Sequence, residues 1–411
     1  MQPRRSSVGH DGWMVERVGG AGWRDRRRRE QLAFARRSER AEGGFVWLDD
    51  AGTPDPSKGL ELWINARMTY VFALSAVLGE ASDLRLAEHG VEALRTLLHD
   101  DEHGGWFDEV GLDGNVPDDG KRCYGHAHVV MAAATAVSAG AEGGQELLAE
   151  ALSVHEAHFW DEVAGRCVEE LGRDWSGVDP YRGANSNMHT VEAYQIAADV
   201  TGDGVWRDRA LAICRGIIDT HARAQGWRIP EHFDATWTPL LDYNEDKPAD
   251  PFRPFGATPG HAFEWSRLLL QQAAGMDRPP AWLEEAAEAL FLQAVADAVE
   301  PDLAGLVYTT DWSGTPVVRE RFHWVMGEAV LAAEALSHRS GRPAYAAFAE
   351  RWWSEIDEHF IDHATGAWRH ELSPETGPSS RTWHGRPDAY HAFNALTLPG
   401  LPLFPSPAAG G

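Results

Sequence analysis

The connections between helical stretches in this chain alternate between tight turns and long loops, and that alternation restricts its fold more than any other feature. Apolar periodicity places helices near 23–38, 61–79, 82–99, 124–139, 144–158, 186–201, 204–222, 260–274, 280–298, 322–339, 342–361 and 388–397. "GEAS" at 79–82, "GDGV" at 202–205 and "SGRP" at 340–343 are tight turns. The long connections carry strand-like pieces built around an aromatic: "GGWFDEVGLDG", "GRCVEELGRDW", "GWRIPEHFDATW", "AGLVYTTDWSG" and "GAWRHELSPETG". One polar marker recurs on the second helix of each pair: Arg67, His126, His189, His261, His323 and His391, at intervals of 59, 63, 72, 62 and 68 residues. Six helical hairpins of that period can close into a ring. The expected fold is therefore all-α, an (α/α)6 barrel with short β-hairpin loops at one mouth. An open solenoid is the rival, but it needs polar terminal caps, and the last pair is as apolar as the middle ones.

Charge and cysteine usage narrow the partners and the compartment. A net charge of −26 argues against nucleic acid or an anionic membrane. Residues 1–40 are the exception, with 11 Arg against five acidic residues. However, "WRDRRRREQLAFARRSE" keeps Trp23, Leu32, Phe34 and Ala35 in helical rhythm, so it reads as a first helix with a charged outer face. Residues 1–20 are expected as a disordered extension, 21–404 as a single barrel domain and 405–411 as a flexible tail. No apolar run approaches the roughly 20 residues that span a bilayer. Cys123, Cys167 and Cys214 have no CxxC spacing and read neither as a disulfide framework nor as a zinc site. With no secretory pattern at the start, the expected compartment is the cytoplasm.

"NMHTVEAY" at 187–194 and "PGHAFEW" at 259–265 each set a histidine three residues before a glutamate. In a closed ring the markers converge on one mouth, where helix N-termini offer N–H groups to oxygen ligands. A lone histidine at a helix start is commonly a cap or a core residue. Here five stand with Tyr124, Asn185, Asn187, Glu264 and Trp324, and that convergence points to a site. Glu192 and Glu264, one turn after His189 and His261, can orient the imidazoles and raise their basicity. The same spacing occurs in carboxylate metal sites of helical bundles, but other polar types outnumber carboxylates here, so no metal is expected. Arg67, with Trp63 one turn earlier, lies on an otherwise apolar helix and reads as a clamp on hydroxyls or as an ion pair. Arg253 and Arg267 are weaker cases of the same kind. Eighteen Trp suit a sugar-lined cavity but suit a large helical core equally.

At "GGFVWLDDAG", "LWINARMTYVFALS", "CYGHAHVVMAAA", "GANSNMHTVEAY", "FRPFGATPGHAFEWSRL", "RFHWVMGEAV" and "GRPDAYHAFNALTLP" the chain resembles the N-acylglucosamine 2-epimerase superfamily, in its branch of mannose and sulfoquinovose isomerases. The likeness runs from Trp23 to Pro402. It implies the (α/α)6 barrel and acid/base catalysis without metal or cofactor, on a neutral monosaccharide, by a monomer or homodimer. His261 and His391 would be central and Glu264 and His189 catalytic. Arg67, Trp63, Tyr124, Asn185, Trp324, Glu328, Arg253 and Glu371 would contact the sugar. His391 is assigned the C2/C1 proton shuttle and His261, oriented by Glu264, ring opening and O1/O2 transfers, with the two roles exchangeable. Relatives acting on a sulfonated sugar carry "HQL" where this chain has "HEL" (370–372), which favours a neutral sugar. Family 2-epimerases commonly follow "YH" with a Pro-Arg segment, whereas this chain continues "YHAFNAL", which favours an isomerase of D-mannose and D-fructose, or of D-lyxose and D-xylulose. The alternatives are a 2-epimerase of glucose, cellobiose or an N-acylhexosamine, a glycoside hydrolase or lyase on the same barrel, and a noncatalytic sugar-binding barrel.

Overall fold

The structure, a computed structural model, describes residues 16–410. Among them are twelve α-helices: α1 (Ala21–Ala35), α2 (Leu62–Val77), α3 (Leu84–Thr96), α4 (Cys123–Ala139), α5 (Gly144–Val154), α6 (Ala184–Thr201), α7 (Gly204–Cys214), α8 (Pro259–Ala274), α9 (Trp282–Ala298), α10 (His323–Ser340), α11 (Pro343–Glu355) and α12 (Tyr390–Thr397). The even-numbered helices form the inner ring. Each packs on the next, and α12 returns to α2. The odd-numbered helices lie outside, α3 on α2, α5 on α4, α7 on α6, α9 on α8, α11 on α10 and α1 on α12. First and last helices thus form one inner–outer pair. That closure rules out the open solenoid.

Residue type explains the two layers. The inner helices α2 and α4 are apolar on all sides and buried over nearly their whole length, as a helix covered on both faces must be. The outer helix α3 is amphipathic and buries only Leu86, Ala87, Gly90, Val91, Ala93 and Leu94. The expected tight turns after α6 and α10 are made by Gly202 and Gly341, with φ of 71° and 68°. A left-handed residue there ends the helix and satisfies its last carbonyls. At their other ends α5, α7 and α11 unwind through π-helical turns into the long connections.

Those connections build the mouth. The two residues ahead of α2, α4 and α6 pair antiparallel with a later hairpin: Leu60–Glu61 with Glu109–Val110, Lys121–Arg122 with Glu170–Leu171, Arg182–Gly183 with His232–Phe233. A three-stranded version, Val307–Thr310, Pro316–Phe322 and Glu371–Leu372, precedes α10. The first N–H groups of α2, α4, α6 and α10 are consequently taken by the carbonyls of Asp108, Glu169, Glu231 and His370. These helix starts were expected to offer free N–H groups to a ligand; instead, those first amides hold the hairpins in place.

The termini depart from expectation too. The 1–20 extension falls outside the described residues as far as 15, but Glu16 to Gly20 lead straight into α1, with Arg17 bonded to Glu350. The basic run of α1 is internally paired: Arg26 with Glu16, Arg27 with Glu30 and Asp357, Arg28 and Arg29 with Asp25. The end of the chain is packed where described. The Ser406 amide donates to Asp199, and Ala408 is buried against the far end of the ring. No helix of the described residues is long and apolar enough to cross a membrane.

Close approach of α3 to α2 depends on Gly90. A Cβ there would stand 2.0 Å from Thr69 Oγ1 and 3.0 Å from the Phe45 ring. Gly90→Ala should therefore destabilise by about 1–3 kcal/mol through overpacking, although alanine is the better helix former by about 1 kcal/mol. Gly204→Ala, with nothing within 4 Å of its Cβ, should be neutral or slightly stabilising. Urea unfolding of the two variants checks the contrast.

Candidate active site

Five of the six inner helices present a polar or aromatic side chain at their second residue (Trp63, Tyr124, Asn185, Trp324, His391). One turn deeper, at the sixth residue, stand Arg67, His128, His189, Glu264 and Glu328. Residues four apart share a helix face, so the ring stacks two tiers around one axis. His261, third residue of α8, completes the upper tier. A cavity of about 740 Å³, mouth included, opens between them. Of the expected site residues it is lined by Trp63, Arg67, Tyr124, Asn185, His189, His261, Glu264, Trp324 and His391, joined by Phe252, Tyr308, His323, His370, Trp383 and Asp388. Most of the largest buried indoles, including Trp23, Trp106 and Trp265, lie in the helical core instead. The tryptophan count thus reflects the core more than the cavity.

Two histidines are held alike. His391 Nδ1 lies 2.9 Å from Glu328 Oε1, and His261 Nδ1 lies 2.9 Å from Glu231 Oε1. Each carboxylate fixes its ring and leaves Nε2 free. The two rings flank Trp324, with centroids 5.8 and 5.2 Å from the indole. Burial, and then the charge of Arg67, hold His391 well below the usual histidine range. It is neutral at physiological pH and fit to accept a proton. Around it, several polar atoms are buried without partners: Glu264 Oε1 and Oε2, His189 Nδ1, Asn185 Oδ1 and His323 Nε2. Such groups cost free energy unless something bonds them. All four residues line the cavity, so a polyhydroxylated ligand would satisfy them.

Below the cavity floor sits a buried charge cluster. Arg267 Nη2 is 3.3 Å from Glu192, 3.8 Å from Glu264 and 3.4 Å from Glu328. Burial, and then the neighbouring Glu328 and Glu192, push Glu264 well above the carboxylate range, so it is a neutral acid. Burial also opposes charge on Glu192, but the nearby His189 imidazole and the charge of Arg267 bring it down to about 2. Two sets here, His189–Glu192–Glu264 and Glu264–Glu328–His391, have the spacing of metal ligands. Arg267 already supplies positive charge to them. Above the floor Arg67 donates to His128 Nε2 at 3.0 Å and Tyr124 Oη at 2.9 Å, and faces Asp388 at 3.4 Å.

Several expectations need correction. Glu264 does not orient His261: Glu231, from the hairpin "IPEHF", does so, and Glu264 belongs to the Arg267 cluster. Glu192 stands 3.7 Å from His189 Nδ1, too far for a hydrogen bond, and is bonded by Tyr390 and Arg267. Glu328 orients His391 and does not line the cavity. Arg253 lies in a neighbouring acidic hollow, its guanidinium 4.1 Å over the Tyr181 ring. Glu371 accepts from Ser379 Oγ and from the N–H groups of Arg381, Thr382 and Trp383. It shapes the loop that brings Trp383 to the cavity. His126 bonds Arg122 O and the Trp106 N–H, and Asn187 clamps Cys167 and Gly183; neither reaches the cavity. The residue missed on α4 is His128, found by spacing four, not two, from Tyr124.

The ring and its carboxylate-held histidines define the class, an (α/α)6 barrel with an acid/base site at one mouth. The chain belongs to the N-acylglucosamine 2-epimerase (GlcNAc 2-epimerase) family, whose profile matches residues 43–395. It is 46% identical to a D-mannose isomerase of Thermobifida fusca over 93% of this chain and 95% of that protein. It is 45% identical to a D-mannose isomerase of Pseudomonas cannabina pv. alisalensis, over 92% of each. A crystal structure of a D-mannose isomerase superposes with a TM-score of 0.86 at 28% identity, over 92% of this chain and 97% of that one.

The buried histidines make stability depend on acid. Burial lowers His189 and His323 to about 4. The unfolded chain therefore binds protons there between about pH 6.5 and 4 that the folded chain refuses. Their contribution is complete above pH 6.5 and falls with acidification, by about 1.4 kcal/mol per pH unit for each histidine. Glu264, shifted upward by burial, works in the opposite sense and offsets part of their contribution. Urea midpoints should drop steadily from pH 6.5 to 4.5, less steeply in His323→Gln. A flat profile would contradict the burial argument.

Proposed function

We propose that the chain is an aldose–ketose isomerase interconverting D-mannose and D-fructose, with D-lyxose and D-xylulose as further substrates. The observation that carries this reading is the pair of histidines, each fixed at Nδ1 by a carboxylate, whose free nitrogens share a cavity lined by unpaired polar atoms. In the proposed mechanism the pyranose opens, with His261 moving protons at the ring oxygen and O1. His391 Nε2 then takes the C2 proton while His261 protonates O1, giving a cis-enediol; His391 returns the proton to C1 on the same face as His261 takes the proton from O2. Neutral Glu264, with Arg67 and Asn185, donates to the enediol oxygens, where pre-aimed donors are most effective. Orientation of His391 by Glu328 keeps its basic nitrogen toward the sugar. No free cation faces the cavity among its described residues, since Arg67 is balanced by Asp388 and occupied by Tyr124 and His128. That supports a neutral sugar over a phosphate or sulfonate ester, and replaces the argument from Glu371.

The 2-epimerase reading draws on the same pair of histidines, because two bases flanking one indole can address opposite faces of C2. A glycoside hydrolase was expected to lack a second carboxylate beside Glu264. The cluster supplies Glu192 and Glu328, but both are engaged below the floor. Proton NMR with D-mannose in D₂O separates the readings. Fructose carrying deuterium at C1 is the expected product; glucose carrying deuterium at C2 would make the protein an epimerase, and no exchange with either sugar would remove both. His391→Gln should lower kcat by about 10²–10⁴-fold. Glu231→Gln should lower kcat and shift its pH profile while leaving the fold intact, because it unfastens His261.

A further inference from the structure

We propose that Cys123, His155 and Cys167 form a structural binding site for a soft, thiophilic d10 cation, Zn²⁺ or Cu⁺, in the barrel wall outside the sugar cavity. The three are 32 and 12 residues apart and share no linear motif. The fold brings them together because Cys123 begins α4, His155 follows the last turn of α5, and Cys167 lies in the hairpin that α5 enters. All three are fully buried, and their ligand atoms lie within 4.8 Å of one another. Cys123 Sγ is 3.8 Å from His155 Nε2. A tetrahedral zinc with ordinary Zn–S and Zn–N bonds holds sulfur and nitrogen about 3.6 Å apart and two sulfurs about 3.8 Å apart. Cys123 and His155 already lie near that spacing, and the Cys167 sulfur, within 4.8 Å of both, must close by at most about 1 Å.

The surroundings are arranged as a second layer around such a site. His155 Nδ1 lies 2.9 Å from Tyr194 Oη, which turns Nε2 toward the sulfurs, as the outer hydrogen bond of a ligating histidine does. Both backbone groups of Cys167 are clamped by the Asn187 amide, and the Cys123 N–H is held by Glu169 O. Thr190 Oγ1 lies 3.6 Å from Cys123 Sγ, and Cu⁺ needs only the three soft or borderline ligands. Binding Zn²⁺ releases one proton from each thiol and leaves a neutral buried unit, Zn²⁺ with two thiolates and a neutral imidazole. Two released protons make affinity fall about a hundredfold per pH unit on acidification.

The test uses the full chain, reduced and stripped with a chelator, with Co²⁺ as the optical probe. One equivalent should bind with a thiolate-to-cobalt charge-transfer band, and Zn²⁺ or Cu⁺ should displace it, whichever binds tighter being the favoured occupant. Zn²⁺ should raise the melting temperature, by linkage to the folded state. Cys167→Ser and His155→Gln should lose both signals, while Cys214→Ser, at the remaining buried cysteine, keeps them. If the Cys167 variant fails to fold, alkylation of the wild-type chain in mild urea, which transiently opens the buried thiols, reads the same point: metal should slow modification of Cys123 and Cys167 more than that of Cys214. Absence of a cobalt band, or a Cys123–Cys167 disulfide that after reduction still binds no Co²⁺, would overturn the proposal.

Discussion

Arg267, buried on α8, places one guanidinium within 3.8 Å of Glu192, Glu264 and Glu328. Desolvating three carboxylates costs several kcal/mol each unless opposite charge is at hand. One cation cannot balance three anions, and the cluster responds by keeping Glu264 protonated while Glu192 is ionised. From this balance the upper site is hung. Glu328 holds the His391 ring, Glu192 takes the Tyr390 hydroxyl, and neutral Glu264 stands at the cavity floor with a proton to give. Loss of Arg267 would strand the carboxylates and release the histidine they orient.

The barrel converts a helical repeat into a site by geometry alone. Four of the six inner helices, α2, α4, α6 and α10, enter from the same end through a short antiparallel pairing, so their second and sixth residues fall at set depths. The upper level carries groups that meet a ligand's rim, and the lower level carries charged groups whose ionisation the core controls. Outer helices contribute no side chain to the cavity. Their work is to cover the apolar inner ring, and Gly90 at the α2–α3 contact shows how closely they approach.

Helix number, the alternation of turns and loops, and the ring were legible because they follow from periodicity and from Gly-containing turns, which are local. Nine of the expected site residues meet at the cavity for the same reason: each sits at a helix start that the pattern locates. What escaped was the partner of each group. His261 is three residues before Glu264, and sequence spacing favoured pairing them, but a side chain on α8 is reached more directly from the hairpin bearing Glu231, thirty residues earlier. His128 was hidden because its neighbour His126 carried the same residue type, and only the four-residue step from Tyr124 distinguishes them. Glu371 was expected to contact the sugar only because the family resemblance carried it there. Its three backbone donors come from a loop whose conformation no local rule specifies.

His391 stands between two arginine systems, and that position sets its chemistry. Toward the core, its Nδ1 meets Glu328, which answers to Arg267. Toward the cavity, Arg67 lies on the other side and disfavours a second proton on the ring. The Glu328 bond and the Arg67 charge pull basicity in opposite directions, and burial tips the balance toward the neutral ring. Asp388 partly offsets the effect while neutralising Arg67 itself. The same pairing that moderates the base therefore also removes the cation that an anionic sugar would need. In the mechanism proposed above, selection of a neutral substrate and tuning of the proton acceptor rest on one ion pair, so a change at Asp388 that freed Arg67 for a charged ligand would weaken the base that has to work on it.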